Sequence, residues 1–246
     1  MTNPLIRKLE RFTKLSVDDR EALDHIASNR VRRRRQREDI ILEGAKPDHV
    51  NLILAGWACR YKMLADGRRQ ILAFFLPGDL CDLHVYILRA MDHSIGALTP
   101  VVYAEITRSD FEQLTENRPR ITQALWWDTL VTAAVQREWT TDIGQRSAIE
   151  RIAHLLLELY YRLEAVGLTD GVSCEMPLTQ AEIAEAMGMT PVHANRMLQE
   201  LRTAGLIELG GKRLLILDIT GLARVAQFNP NYLHLQHDGA HLDANA

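Results

Sequence analysis

The sequence predicts an α+β chain in three parts, followed by a polar tail. Residues 1–118 read as an antiparallel β-roll of the double-stranded β-helix type and 119–146 as one long helix with its hinge. Residues 147–228 read as a winged helix-turn-helix and 229–246 as the tail. Three observations carry this. Short strand-like runs at 39–42, 50–54, 57–64, 70–76 and 101–106 are separated by turn signals. One helical pattern then continues for about 25 residues, or ~37 Å. Finally, 178–202 reads as two helices that meet at a glycine.

The N-terminal segment holds two short helical patterns, one opened by Asn3-Pro4 and one capped by Ser16, with Leu23 and Ile26 on one face. At Arg30 the period changes from helix to strand. The arginine run RVRRRRQRED stands just before a strand signal, which favours a solvated edge strand over a nucleic-acid tract. Asp66-Gly67 is a hairpin signal, and Pro77-Gly78-Asp79 marks the next corner. Ser109 is the expected cap of a short helix containing Phe111 and Leu114. Such a roll is a container for a small ligand.

Arg118-Pro119 closes the roll and opens the long helix, whose apolar residues, from Leu125 and Trp126 to Trp139 and Ile143, cover more than one face. One face covers the roll. The other needs a partner helix, with Leu130, Ala134, Arg137 and Ile143 as the dimer set. Gly144 loosens the helix and Ser147-Ala-Ile-Glu150 forms a capping box for the next one, which places a hinge at 144–147.

In the two-helix stretch, Ile183, Ala184 and Met187 recur at helical spacing and stop at Gly188, a residue suited to a left-handed turn. Thr190 caps the second helix and Pro191 fits its first position. With Ala194, Met197, Leu198 and Leu201 inward, the helical step turns Val192, Asn195, Arg196 and Gln199 outward. His193 lies on the flank, and Gln180 and Thr190 stand at the two helix starts. These side chains are able to read base edges of double-stranded DNA: Arg pairs with guanine, Asn or Gln with adenine, and Val covers a thymine methyl. Two strands around Gly210-Gly211 then form a wing, with Lys212 and Arg213 near its tip to meet phosphate.

Together these features resemble the Crp/Fnr family of bacterial transcription regulators over nearly the whole chain. That family's helix-turn-helix carries a pattern like G-x-[ST]-x-E-T-x-[SG]-R, and here Gly188, Thr190, Val192, His193, Asn195 and Arg196 stand in it. Val192 holds the glutamate position and His193 the threonine position, so only Arg196 carries over as a base reader. The resemblance implies a homodimer on a palindromic operator, and RNA polymerase as partner if the protein activates. In cyclic-AMP-binding members, a G-E-L stretch binds ribose and an R-[ST] pair holds the phosphate. Laid without gaps from Gly78-Asp79, those positions fall on Asp82, Leu83, His93 and Ser94. Leu83 cannot bond a ribose hydroxyl and Asp82 places a carboxylate near the anion, so cyclic AMP held in that way is not expected. The resemblance also covers iron-sulfur sensors, which carry N-terminal cysteines. No cysteine precedes Cys59 here, which excludes that cluster. Cys81 and His84 raise a haem reading, but two isolated ligand types do not support it.

Composition bounds the rest. The chain is 47% apolar and 25% charged, its apolar runs are broken by Pro77, Gly78 and Asp128, and it has no signal peptide, so a cytoplasmic protein without membrane contact is expected. Three scattered cysteines, Cys59, Cys81 and Cys174, imply reduced thiols and not a disulfide framework. Residues 170–246 hold 5 Lys+Arg against 9 Asp+Glu, an inverted balance for a DNA binder. Arg196, Arg202, Lys212 and Arg213 are the local cations set against it. The alternative is a ligand-binding regulatory module that acts through protein contacts and carries a degenerate winged domain. No nucleophile-base pair, phosphate loop or metal-ligand spacing points to an enzyme. The 229–246 tail is polar, with disorder expected.

Overall fold

The computed structural model describes residues 3–83 and 85–235. Two short helices, α1 (Pro4–Leu9) and α2 (Val17–Ser28), precede a roll of eight strands. These are β1 (Val31–Arg34), β2 (Asp39–Ile41), β3 (His49–Ala55), β4 (Ala58–Met63), β5 (Arg69–Phe75), β6 (Leu80–Cys81), β7 (Ser94–Ala97) and β8 (Val101–Thr107). They form two antiparallel four-stranded sheets, ordered β1-β8-β3-β6 and β2-β7-β4-β5. The arginine run is the edge strand β1, which pairs with β8 alone and exposes Arg32 and Arg33. The β4–β5 hairpin closes at the expected Asp66-Gly67 turn, with Gly67 at φ +84°. At the following corner Gly78 has φ +95°, and a Cβ there would stand 2.8 Å from the Pro4 carbonyl. The corner therefore seats α1, from which Lys8 Nζ reaches Asp79 at 2.7 Å and Asp128 at 2.6 Å.

Helix α3 (Arg108–Asn117) is capped by Thr107 and not by Ser109; the Thr107 hydroxyl accepts the Asp110 amide at 3.1 Å. The long helix α4 (Pro119–Gln145) keeps Gly144 helical, so the joint is Arg146-Ser147, where extended backbone meets the Ser147–Glu150 capping box of α5 (Ala148–Ala165). Of the dimer set, Leu130 and Ile143 are 64% and 46% exposed and Arg137 is exposed, whereas Ala134 is buried within its own protomer. The open stripe instead runs Trp126, Leu130, Ala133, Arg137, and Ala134 stands one residue, about 100°, off it.

The C-terminal module continues with β9 (Thr169–Asp170), β10 (Ser173–Glu175), α6 (Gln180–Met187), α7 (Pro191–Thr203), β11 (Ile207–Gly210), β12 (Arg213–Ile216) and α8 (Ile219–Ala226). The wing is a four-stranded sheet, β11-β12-β10-β9, where the sequence showed only the β11–β12 hairpin. Its core is continuous with the outer side of the roll: Trp57, Cys59 and Phe74 share one apolar cluster with Leu156, Ile183 and Met187. Helix α6 lies against β5, and Gln70 Nε2 donates to the Ala186 carbonyl at 3.1 Å.

The start of the tail is ordered, contrary to expectation. Pro230–Leu233 form a 3-10 turn capped by Asn229, and Leu233 is 1% exposed against α4. Tyr232, Leu233 and Leu235 in a polar stretch are too weak a signal; residues 236–246 lie outside the described range. Among the described residues, no helix is long and apolar enough to cross a membrane. Cys59, Cys81 and Cys174 are unpaired and buried.

Candidate nucleic-acid interface and roll cavity

The crossing of α6 and α7 is set locally. Thr179 and Glu182 form a capping box at the start of α6, and Gly188 ends it in the left-handed region at φ 62°. The Thr190 hydroxyl then accepts the His193 amide at 3.2 Å, and Pro191 takes the first helical position. Ala194, Met197, Leu198 and Leu201 are buried, as their spacing requires. The opposite face carries Val192 at 82% exposure together with Asn195, Arg196 and Gln199, with half-buried His193 beside them. Arg196 Nη2 donates to His193 Nδ1 at 2.9 Å, and Gln180 Nε2 donates to Asn195 Oδ1 at 3.0 Å. The α6 and α7 members of the sequence-derived set therefore meet on one surface.

The wing departs in detail. Gly210 pairs with Arg213, so the turn residues are Gly211 and Lys212, at φ 57° and 63°, one position beyond the expected Gly210-Gly211. Both are left-handed, as a two-residue hairpin of this hand demands. This puts Lys212 at the tip. Arg213 leans back onto Ser173, and Arg202 donates to the Leu209 carbonyl at 3.0 Å, tying α7 to the wing. Arg202 is thus structural more than outward.

In the roll, Asp82, Leu83 and His93 line an open cavity of about 470 Å³ beside Thr129 and Thr132 of α4. Ser94 does not. It begins β7, where successive side chains alternate faces, and its hydroxyl accepts the Glu43 amide at 2.9 Å. The carboxylate of Asp82 is paired with Arg60 and stands 2.9 Å from His93 Nε2. Burial by itself would raise the Asp82 pKa, but the His93 hydrogen bond and the Arg60 charge outweigh it and hold the carboxyl below its ordinary range. Arg60 and Lys62 were missed in the sequence. Their only signal is alternation on β4, which sends them to the cavity and Cys59 and Tyr61 toward the C-terminal core. Cys81 packs in the roll core, and burial pushes its thiol well above the usual range; His84 lies outside the described residues.

Residues 31–118 match the cyclic nucleotide-binding domain and residues 150–225 the Crp-like helix-turn-helix domain. The chain is 31% identical over 193 residues to the transcriptional activator protein FnrL of Cereibacter sphaeroides, covering 77% of this chain and 76% of that one. The chain belongs to the Crp/Fnr family. It is 29% identical over 221 residues to the transcriptional activatory protein AadR of Rhodopseudomonas palustris, covering 88% and 89% of the two chains. The solved structure of FixK2 from Bradyrhizobium japonicum superposes with a TM-score of 0.71 at 26% identity, over 79% of this chain and 96% of that one. As a Crp/Fnr member the chain is a helix-turn-helix transcription regulator and not an enzyme.

Proposed function

We propose that this regulator binds a palindromic operator as a homodimer, each protomer laying α7 in a major groove. The single observation that carries the reading is the exposed set Val192, Asn195, Arg196 and Gln199 on a helix whose other face is wholly buried. Arg196 is the main base reader. Val192, Asn195, Gln199 and His193 set the remaining sequence, Gln180 and Thr190 hold the helix starts near the backbone, and Lys212 and Arg213 meet phosphate. The stripe Trp126, Leu130, Ala133, Arg137 supports a parallel α4 pair about a two-fold axis, which places the half-sites about one turn, ~34 Å, apart. RNA polymerase is the further partner if the protein activates.

A signal reaching the roll cavity gates this activity in our reading. The β4–β5 hairpin supports it, because β4 gives Arg60 and Lys62 to the cavity while β5 contacts α6. No cofactor is assigned. Cyclic AMP in the family's manner is not the proposed effector, since the cavity's arginine is already neutralised by Asp82. Selection of duplexes from a random pool by the purified protein tests the proposal. A palindrome supports it; absence of any salt-sensitive DNA binding favours a module that acts through protein contacts, which the negative balance of residues 170–246 would suit.

A further inference from the structure

Between α4 and α5 only Arg146 and Ser147 are non-helical, so the angle between the helices is held by what packs across that joint: Asp142 of α4 stands 3.2 Å from His154 of α5, and Trp139 of α4 donates to Glu158 of α5. The segment after α8 adds a further attachment. After α8 the backbone turns at Gln227, in the left-handed region at φ 49°, and runs back across α5 onto α4. Phe228 stacks on Tyr161 at 5.5 Å with 6° between the rings, and Tyr232 stacks on His154 at 5.6 Å and 17°. The Tyr232 hydroxyl donates to Glu158 at 3.2 Å, a fully buried carboxylate that also accepts Trp139 Nε1 of α4 at 3.0 Å. One carboxylate thus joins α4, α5 and the C-terminal segment.

The segment ends on α4 and the roll. The His234 ring meets Trp127 edge-on at 5.7 Å. Leu233 and Leu235 line a small, partly open pocket of about 70 Å³ whose other walls include Val131, Val135, Phe74 and Arg162. Phe228 and Tyr232 face the C-terminal module, and Leu233 to Leu235 face the sensor side.

We propose that residues 228–235 are an intramolecular strap that fixes the angle between α4 and α5, so that the reading head is held to the long helix by its own C-terminal segment. With Leu233 and Leu235 lifted from their pocket, the joint at Arg146-Ser147 keeps its Trp139–Glu158 bond and the head its contact with β5, but the α4–α5 angle loses its third support and loosens. The term reading head rests on the DNA-binding reading above; the strap itself is tested without DNA, so the two fail separately.

Hydrogen exchange by mass spectrometry on the full chain and on a chain ended at Asn229 is the test. Amides of the last turn of α4 and the first two turns of α5 are expected to exchange faster by about tenfold or more, with β3, β8 and α7 unchanged. Tyr232→Phe, which removes one hydrogen bond and keeps the ring, is expected to give a smaller change at the same amides. Joint amides that keep their rates in both variants overturn the strap. So does acceleration spread evenly into the roll, which would make the segment ordinary core.

Discussion

Arg196 and Arg60 both sit on the working faces of their modules, and they are held in opposite ways. Arg196 stands in water, leaning on His193 at 2.9 Å. Arg60 is 15% exposed, lies over the Phe75 ring and is paired with Asp82, which His93 also contacts. An exposed contact of the first kind is worth little and exchanges readily for a base edge. The second cannot be given up without leaving a carboxylate and a guanidinium half-buried and unpaired. The α7 face is therefore open to a partner as it stands, whereas the roll cavity is neutralised from within.

The largest effect is expected where the contrast depends on two heads acting together. On the proposed α4 pairing, Leu130→Asp puts a charge on the exposed stripe, and sedimentation should show a dimer for the wild type and a monomer for the variant, with the fold intact by circular dichroism. A variant that remains dimeric would place the interface elsewhere. Next in size, Arg196→Ala should cost ~1 to 3 kcal/mol on the selected duplex and relax preference at one base pair. Equal weakening on every sequence would reduce Arg196 to a phosphate contact.

In the roll, Asp82→Asn removes the charge that Arg60 and His93 share, and unfolding in urea should show a loss of about 1 to 2 kcal/mol near neutral pH, discounted for partial exposure. The same variant sharpens the acid limb. Because the folded pKa of Asp82 is depressed, its contribution is present above the ordinary carboxylate pKa and is lost as pH falls through the lower folded value. Stability of the wild type should therefore decline more steeply than that of the variant below about pH 4. Cyclic AMP should leave the wild-type melting temperature unchanged; a clear rise would mean that Arg60 exchanges Asp82 for phosphate. The smallest effect belongs to Lys212→Ala, which should weaken binding uniformly across sequences and reduce the salt slope by about one.

Much of the head is legible in the sequence alone. Gly188, Thr190 and Pro191 are signals whose partners lie within a few residues, so the left-handed turn and the cap of α7 follow from local chemistry. The Asp66-Gly67 hairpin and the edge strand of arginines were legible for the same reason. Where a local rule has two near-equal answers, the sequence leaves the position open by one or two residues: Thr107 and Ser109 both cap well, and Gly210-Gly211 and Gly211-Lys212 both fit a two-residue turn.

By itself, then, the sequence determined the order of the modules, the crossing of α6 and α7, and the residues on the outer face of α7. Periods of 3.6 and 2 and short-range caps are enough for that. Tertiary structure alone decided that Arg60 meets Asp82 and His93, since β4 and β7 are brought together by sheet register and not by spacing in the chain. It also decided that Ala134 is covered, that α6 rests on β5, and that Leu233 is buried. Each of these depends on which surface arrives opposite a residue, and the identity of that surface is set by elements dozens of positions away.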